Sequence, residues 1–330
     1  MGAIFGEQRR KNMIENISQA LKDPIIFRGI TYLFYLIVIL GIGIIIATLI
    51  MIKKGHKQEA VSLWTKYMAW FVIIPVLMAP MLLGKNYFTT AILLLSLLCF
   101  REFTLAVGLW KDRLFCWLGY LSIALTYIAV YIDWYGLYTA MPIYCMLGVL
   151  AIPIIRGEFE GMIQKTCLTV LGILYFGWFF SHVAFLTNMQ NGFGHILFLF
   201  VLVELNDASA FMFGKLLGSH KLTPKISPHK TWEGAIGSIL FTIIAAFVFR
   251  FAIPEYSAWQ VLVIGILISI GGMFGDLTIS FIKRDLKIKD MGKLIPGHGG
   301  LLDRFDSVIF VAPIFFHFTR YFFWTTFFNP

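Results

Sequence analysis

The chain has 330 residues, of which 59% are hydrophobic and only 14% charged, and its formal net charge is +9 at pH 7. That apolar share lies above the roughly half found in soluble domains, which excludes an ordinary soluble globular protein. Long apolar runs recur along the whole length without the period-2 alternation of a membrane β-barrel. The expected fold class is therefore an all-α polytopic membrane protein. The basic balance fits loops beside anionic lipid, and nucleic acid is not expected as a partner.

Residues 1–29 are polar, with Ile14, Ile17 and Leu21 at the spacing of a short helix lying on the membrane surface. No cleavable leader is expected, because the first apolar run begins near Ile30. About ten transmembrane helices follow, over residues 30–52, 67–83, 87–109, 114–132, 135–155, 167–188, 194–218, 235–253, 259–282 and 308–324. The second is short and carries Pro75 and Pro80, as a kinked or re-entrant segment would. In domain terms this gives a polar segment 1–29, an N-terminal transmembrane bundle 30–190 and a catalytic transmembrane region 191–330 with polar loops 219–234 and 283–307.

Alternating the loops between two sides puts most of the 27 lysines and arginines on one side, which assigns that side to the cytoplasm. Arg9, Arg10 and Lys11 in the tail argue weakly the other way. Two spans separate loop 219–234 from loop 283–307, so the two loops share a compartment in either orientation. Cys99, Cys116, Cys145 and Cys167 lie in or beside apolar runs at spacings that fit no zinc motif, and no disulfide is inferred.

The polar residues concentrate between Ser280 and Asp306. Asp303 and Asp306 are three apart and share a face if the segment is helical. The run Pro296-Gly297-His298-Gly299-Gly300 precedes them, and glycine lets backbone N–H groups approach a phosphate. Lys283, Arg284, Lys287, Lys289 and Lys293 add positive charge upstream. Acids that hold a metal beside bases that hold phosphates suit chemistry on a nucleoside triphosphate. Asp276 shares a helical face with Ser280, Lys283 and Arg284, about 9 Å inside the end of its span at 1.5 Å per residue. It reads either as a metal ligand reached from the loop side or as the partner of a neighbouring lysine.

Glu204, Asp207 and Phe211 lie on one face of the seventh span, where carboxylates are costly and by default functional. Glu204 reads equally as a structural partner. In the loop Lys225–Gly234, Lys230 and the Ser227 and Thr231 hydroxyls suit phosphate contacts, and Gly234 opens a helix whose N-terminus favours anions. The same residues also describe an ordinary loop with Ser227 or Thr231 as helix cap. Arg101 and Glu102 in the third span read as a buried structural ion pair.

The pattern Ser280-x-x-Lys283-Arg284, Lys289-Asp290, Pro296-x-His298-Gly299-Gly300, Asp303-Arg304-x-Asp306 resembles the signature of the phosphatidate cytidylyltransferases, or CDP-diacylglycerol synthases. About a dozen fixed residues over this stretch make the match specific. The loop Ser227-Pro228-His229-Lys230-Thr231-x-Glu233-Gly234 is similar to the family's second element, with His229 where lysine is usual. The segment from Asp207 to Lys215 resembles a third, with Phe211 where the family has tyrosine and Lys215 where it has arginine. The strong resemblance covers roughly residues 200–310; the first 190 match in hydropathy alone.

The resemblance implies transfer of a cytidylyl group from CTP to phosphatidate or a similar lipid phosphate. It implies Mg²⁺ as cofactor and a multi-pass protein of the cell inner membrane whose site faces the cytoplasm. It implies catalytic roles for Asp207, Lys283, Arg284, Asp303 and Asp306, and metal ligation by Asp276, Asp303 and Asp306. Substrate contacts are implied for Ser227, Lys230, Thr231, Glu233, Lys289, Asp290, His298, Gly299, Gly300 and Arg304. For His298 a loop-ordering or phosphate-contact role is favoured, since an anionic phosphate oxygen needs no general base. Membrane lipids are expected partners, and a homodimer is compatible with the sequence. The competing readings are cytidylyl transfer to another lipid phosphate, an ion-coupled transporter using Asp207 and Asp276, and an inactive lipid-binding homologue.

Overall fold

The computed structural model describes residues 22–53, 78–292 and 299–327, together with positions 18, 64, 68, 71, 74 and 75. The expected surface helix around Ile14, Ile17 and Leu21, most of the expected span 67–83, and Lys293 and His298 lie outside the described residues. The chain forms two compact units, Met1–Ala91 and Ile92–Pro330.

The first unit holds helix α1, Pro24–Lys53, and the opening turns of α2, Lys85–Ala106. Asp23 starts α1 by accepting a 2.8 Å hydrogen bond from the Ile25 N–H, which satisfies one of the donors a helix leaves open at its start.

The second unit contains the rest of α2, then α3 (Arg113–Tyr131) and α4 (Tyr135–Arg156). Helix α5 (Met162–Gly172) runs through a π-helical stretch, Ile173–Phe179, into α6 (Phe180–Phe185). Then come α7 (Gly192–Leu217), strands β1 (Lys221–Thr223) and β2 (Ser227–Thr231), and helices α8 (Trp232–Val248), α9 (Ala258–Asp285) and α10 (Leu302–Phe327). Among the described residues, seven helical segments are long and apolar enough to cross a membrane. The protein is an integral, multi-pass, all-α membrane protein. Helices are the form such runs take because lipid offers their backbone groups no other partner. Pro142 and Pro153 inside α4 and Pro313 inside α10 each remove a donor from the helical hydrogen-bond ladder.

The loop between α2 and α3 is stitched to the end of α4 and the start of α5 by charge. Asp112 accepts two hydrogen bonds from Arg156, at 2.9 and 3.0 Å, and one from Lys165 at 3.0 Å. Burial works against the Asp112 charge, but these two cations outweigh it and hold the carboxyl below its usual range.

Helices α7 and α8 touch backbone to backbone. A Cβ on Gly234 would lie 2.7 Å from the Ala210 carbonyl oxygen and 3.0 Å from Gly214 Cα. Deeper in, Asn206 of α7 joins three helices. Its Oδ1 accepts from Ser269 Oγ of α9 at 2.5 Å and from Thr242 Oγ1 of α8 at 3.3 Å. Its Nδ2 donates to the Ser269 carbonyl at 3.4 Å, and Gly272 leaves room for it. An amide that would be costly in an apolar core is thereby satisfied on both sides.

Candidate active site

The loop after α7 is not open chain, as its sequence suggests, but a small antiparallel hairpin. Lys221 pairs with Thr231 and Thr223 with Ser227, with an irregularity between them. The Ile226 N–H closes the turn on Thr223 O at 3.1 Å, and the Trp232 N–H reaches His220 O at 3.0 Å. Thr231 then caps α8, its Oγ1 accepting from the Gly234 N–H at 3.2 Å. The capping role open in the sequence therefore belongs to Thr231. Glu233 accepts from the His220 N–H and lies 2.6 Å from His220 Nδ1, so its carboxylate closes the hairpin's base.

Beneath the hairpin lies a cavity of about 620 Å³. Its acids are Asp207 from α7, Asp276 from α9, and Asp303 and Asp306 from the start of α10; its cations include Lys215, Lys221 and Lys230. Ser227, Thr231 and the departures Phe211 and His229 also line it. Four stretches, from α7, the hairpin with the start of α8, α9 and α10, thus converge on one polar hollow.

The acids and lysines are paired. Lys230 Nζ lies 2.5 Å from Asp276 Oδ2, so the lysine partner considered for Asp276 is Lys230. Lys283 Nζ lies 2.7 Å from Asp303 Oδ1. The other Asp303 oxygen accepts from the N–H groups of Met291 and Gly300, both at 3.0 Å. Asp303 therefore cinches the neck of the glycine loop. Gly299 sits in that neck with φ 81°, a conformation that favours glycine, and a Cβ there would lie 3.1 Å from both Asp290 Oδ1 and Asp303 Oδ2. Asp306 is buried at the foot of the cavity, where its Oδ1 accepts from the Ser307 N–H at 2.8 Å.

Some expected residues stand apart from this group. Arg284 is exposed and donates from Nε to the Ile226 carbonyl at 3.2 Å, which ties α9 to the hairpin turn. Lys289 and Arg304 are exposed; Asp290, also exposed, belongs with the loop neck, where its Oδ1 lies as close to Gly299 as Asp303 does.

Glu102 corrects an expectation. It does not form a buried ion pair with Arg101, which is exposed. Its own buried carboxylate accepts backbone hydrogen bonds from Leu301 N at 3.1 Å and Leu302 N at 2.9 Å. Adjacency in sequence suggested the pair, but neighbours in a helix point 100° apart and do not face each other. Lys221 was legible only as one more loop charge; the hairpin register is what brings it to the cavity.

Among the described residues, no three His, Cys, Asp or Glu side chains converge closely enough to hold a metal ion unaided. Asp207, Asp276 and Asp306 nevertheless line one cavity with hard oxygen donors, the chemistry that Mg²⁺ takes.

Comparison with known proteins accords with this arrangement. The chain is 33% identical over 288 residues to a protein of Escherichia coli (strain K12) described as uncharacterized protein YnbB, an alignment covering 84% of this chain and 95% of that one. It is 41% identical over 160 residues to a phosphatidate cytidylyltransferase of Staphylococcus haemolyticus and 38% identical over the same length to one of Staphylococcus aureus (strain COL). Those two alignments cover 48% of this chain and 60% of the relatives. The profile described as the cytidylyltransferase family matches residues 64–322, a stretch that takes in every acid and lysine of the cavity. With that match over most of its length, the chain belongs to the cytidylyltransferase family, whose members are CTP-dependent nucleotidyltransferases.

Proposed function

We propose that the protein transfers the cytidylyl group of CTP to phosphatidate, releasing pyrophosphate and leaving CDP-diacylglycerol in the membrane. One observation carries this reading: a single cavity at the end of membrane helices holds four carboxylates and three lysines. A soluble triphosphate and a membrane-held phosphate both need such a place, because two anions must meet and their repulsion is the main barrier. The names of the staphylococcal relatives point to the same acceptor.

In this reading an anionic oxygen of the lipid phosphate attacks the α-phosphorus of CTP. A new P–O bond forms as the bond from the α-phosphorus to the bridging oxygen breaks, and pyrophosphate leaves with that electron pair. Lys215, Lys221 and Lys230 neutralise the triphosphate and its leaving group. The paired state of Lys230 and Lys283 keeps the acids balanced before substrate enters. Asp276 and Asp306, with Asp207 beside them, would hold Mg²⁺, which when bound supplies positive charge to the phosphate oxygens. Magnesium commonly leans on one or two carboxylates together with substrate phosphates and water, so a closed triad is not required. Asp303 contributes by fixing the glycine loop. We read about ten membrane crossings, a cytoplasmic site and the inner membrane as location.

The test uses purified protein, Mg²⁺ and a panel of lipid phosphates with CTP labelled at either end. Label at the α-phosphorus is expected in the lipid, label at the γ-phosphorus in pyrophosphate, and EDTA stops both. Entry of γ label into the lipid would make the protein a kinase instead. If neither label moved with any lipid while CTP still bound, the inactive-homologue reading would replace ours.

A further inference from the structure

We infer that Glu102 is a positioning residue for this reaction: from α2 its carboxylate fixes the point where the glycine loop turns into α10. The inference rests on the proposed transfer for its purpose, but its geometry stands independently. Glu102 is 2% exposed and spends its two oxygens on two successive backbone donors, Oε1 on Leu301 N and Oε2 on Leu302 N. Leu302 opens α10, so an anion sits where that helix leaves N–H groups without partners and where its dipole favours negative charge. The glycines that flank the loop make room for it. A Cβ on Gly300 would lie 2.6 Å from Glu102 Oε2, and a Cβ on Gly292 would run into Oε1. Both ends of the loop therefore close on the same carboxylate.

The next residue after Leu302 is Asp303, which takes the N–H groups of Gly300 and Met291. Glu102 and Asp303 thus grip adjacent amides, those of Leu301 and Gly300, and Asp306 follows one turn later on the same helix. A buried carboxylate is costly unless its hydrogen bonds are made, and here the bonds it makes set the register of the two acids of α10. A shift of about 1 Å in such groups is enough to cost a hundredfold in rate. Composition alone could not reveal this, because Glu102 lies some 200 residues from the loop it holds.

The experiment compares wild type with Glu102→Gln, which keeps the volume but turns an NH₂ group toward one of the two N–H donors. Expected are a fall in kcat on the order of a hundredfold, a raised KM for CTP, and faster amide exchange in the peptide covering residues 299–305. Peptides from α7 and α8 should exchange as in wild type. A purely structural role would instead lower thermal stability and leave turnover per folded molecule unchanged. Gly300→Ala presses a methyl onto the same carboxylate with Glu102 intact, and should reproduce the pattern if the Glu102 variant does not fold. Turnover, KM and exchange all within about threefold of wild type would overturn the inference. If wild type moves no label from CTP but Glu102→Gln still loosens residues 299–305, the proposed reaction falls and the positioning role survives.

Discussion

Lys230 Nζ sits 2.5 Å from Asp276 Oδ2, so a hairpin residue and a carboxylate nine residues inside the end of α9 share one charge pair. The hairpin is thereby fastened over the cavity through a group that the proposed reaction also uses. Replacing Lys230 by Met should cut cytidylyl transfer about a hundredfold, the usual scale for losing one preorganised charge at a phosphoryl centre. Steady-state rates at varied CTP measure it, and a loss below about threefold would reduce Lys230 to a structural partner of Asp276.

Asp303→Asn and Asp306→Asn should each abolish turnover while the protein stays folded, but for different reasons. Asp303 holds Lys283 and two loop amides, so its amide variant should also speed hydrogen exchange in the loop neck at Met291 and Gly300. Asp306 bonds to the N–H of the next residue, so its variant should leave the neck unchanged. Equal exchange in both variants would contradict the division of labour.

Single cysteines at Ser227 and Lys289, in a background without native cysteines, should label from the same side of the membrane. The Arg284 Nε to Ile226 O hydrogen bond ties the hairpin turn to the end of α9 and demands this. Labelling from opposite faces would break the joint site.

Thr231→Ala removes the cap of α8 and should cost about 1 kcal/mol. Gly234→Ala should cost more, about 1–3 kcal/mol, since its methyl has only the α7 backbone to push against. Unfolding in detergent measures both, and the reverse order would mean that α7 and α8 separate easily.

What the sequence disclosed and what it hid follow from the physics. The helices were legible because lipid allows long apolar runs no other structure, and their ends moved by a few residues because caps, not hydropathy, set them: Thr231 starts α8 ahead of the apolar run expected from 235. Asp276, Asp303 and Asp306 were legible because charge is scarce in such a chain, and the cavity gathers them. The hairpin was hidden, since three- and five-residue strands with Pro228 among them carry too little alternation to register. Lys221 was hidden behind the hairpin. Glu102 was misread because helix neighbours were paired by adjacency, while its real partners are backbone amides with no side-chain signature.

The Asn206 junction has a mechanical consequence. It spans α7, α8 and α9 at the wall of the cavity, and because Asn206, Thr242 and Ser269 are all buried, a broken hydrogen bond there leaves a polar group unpaired. Sliding any of the three helices past the others would strand Ser269, Thr242 or Asn206 itself. The bundle around this junction therefore behaves as a keel, and the hairpin over the cavity is moored to it at three points: the Lys230 ammonium, the Arg284 bond to the Ile226 carbonyl and the Thr231 cap.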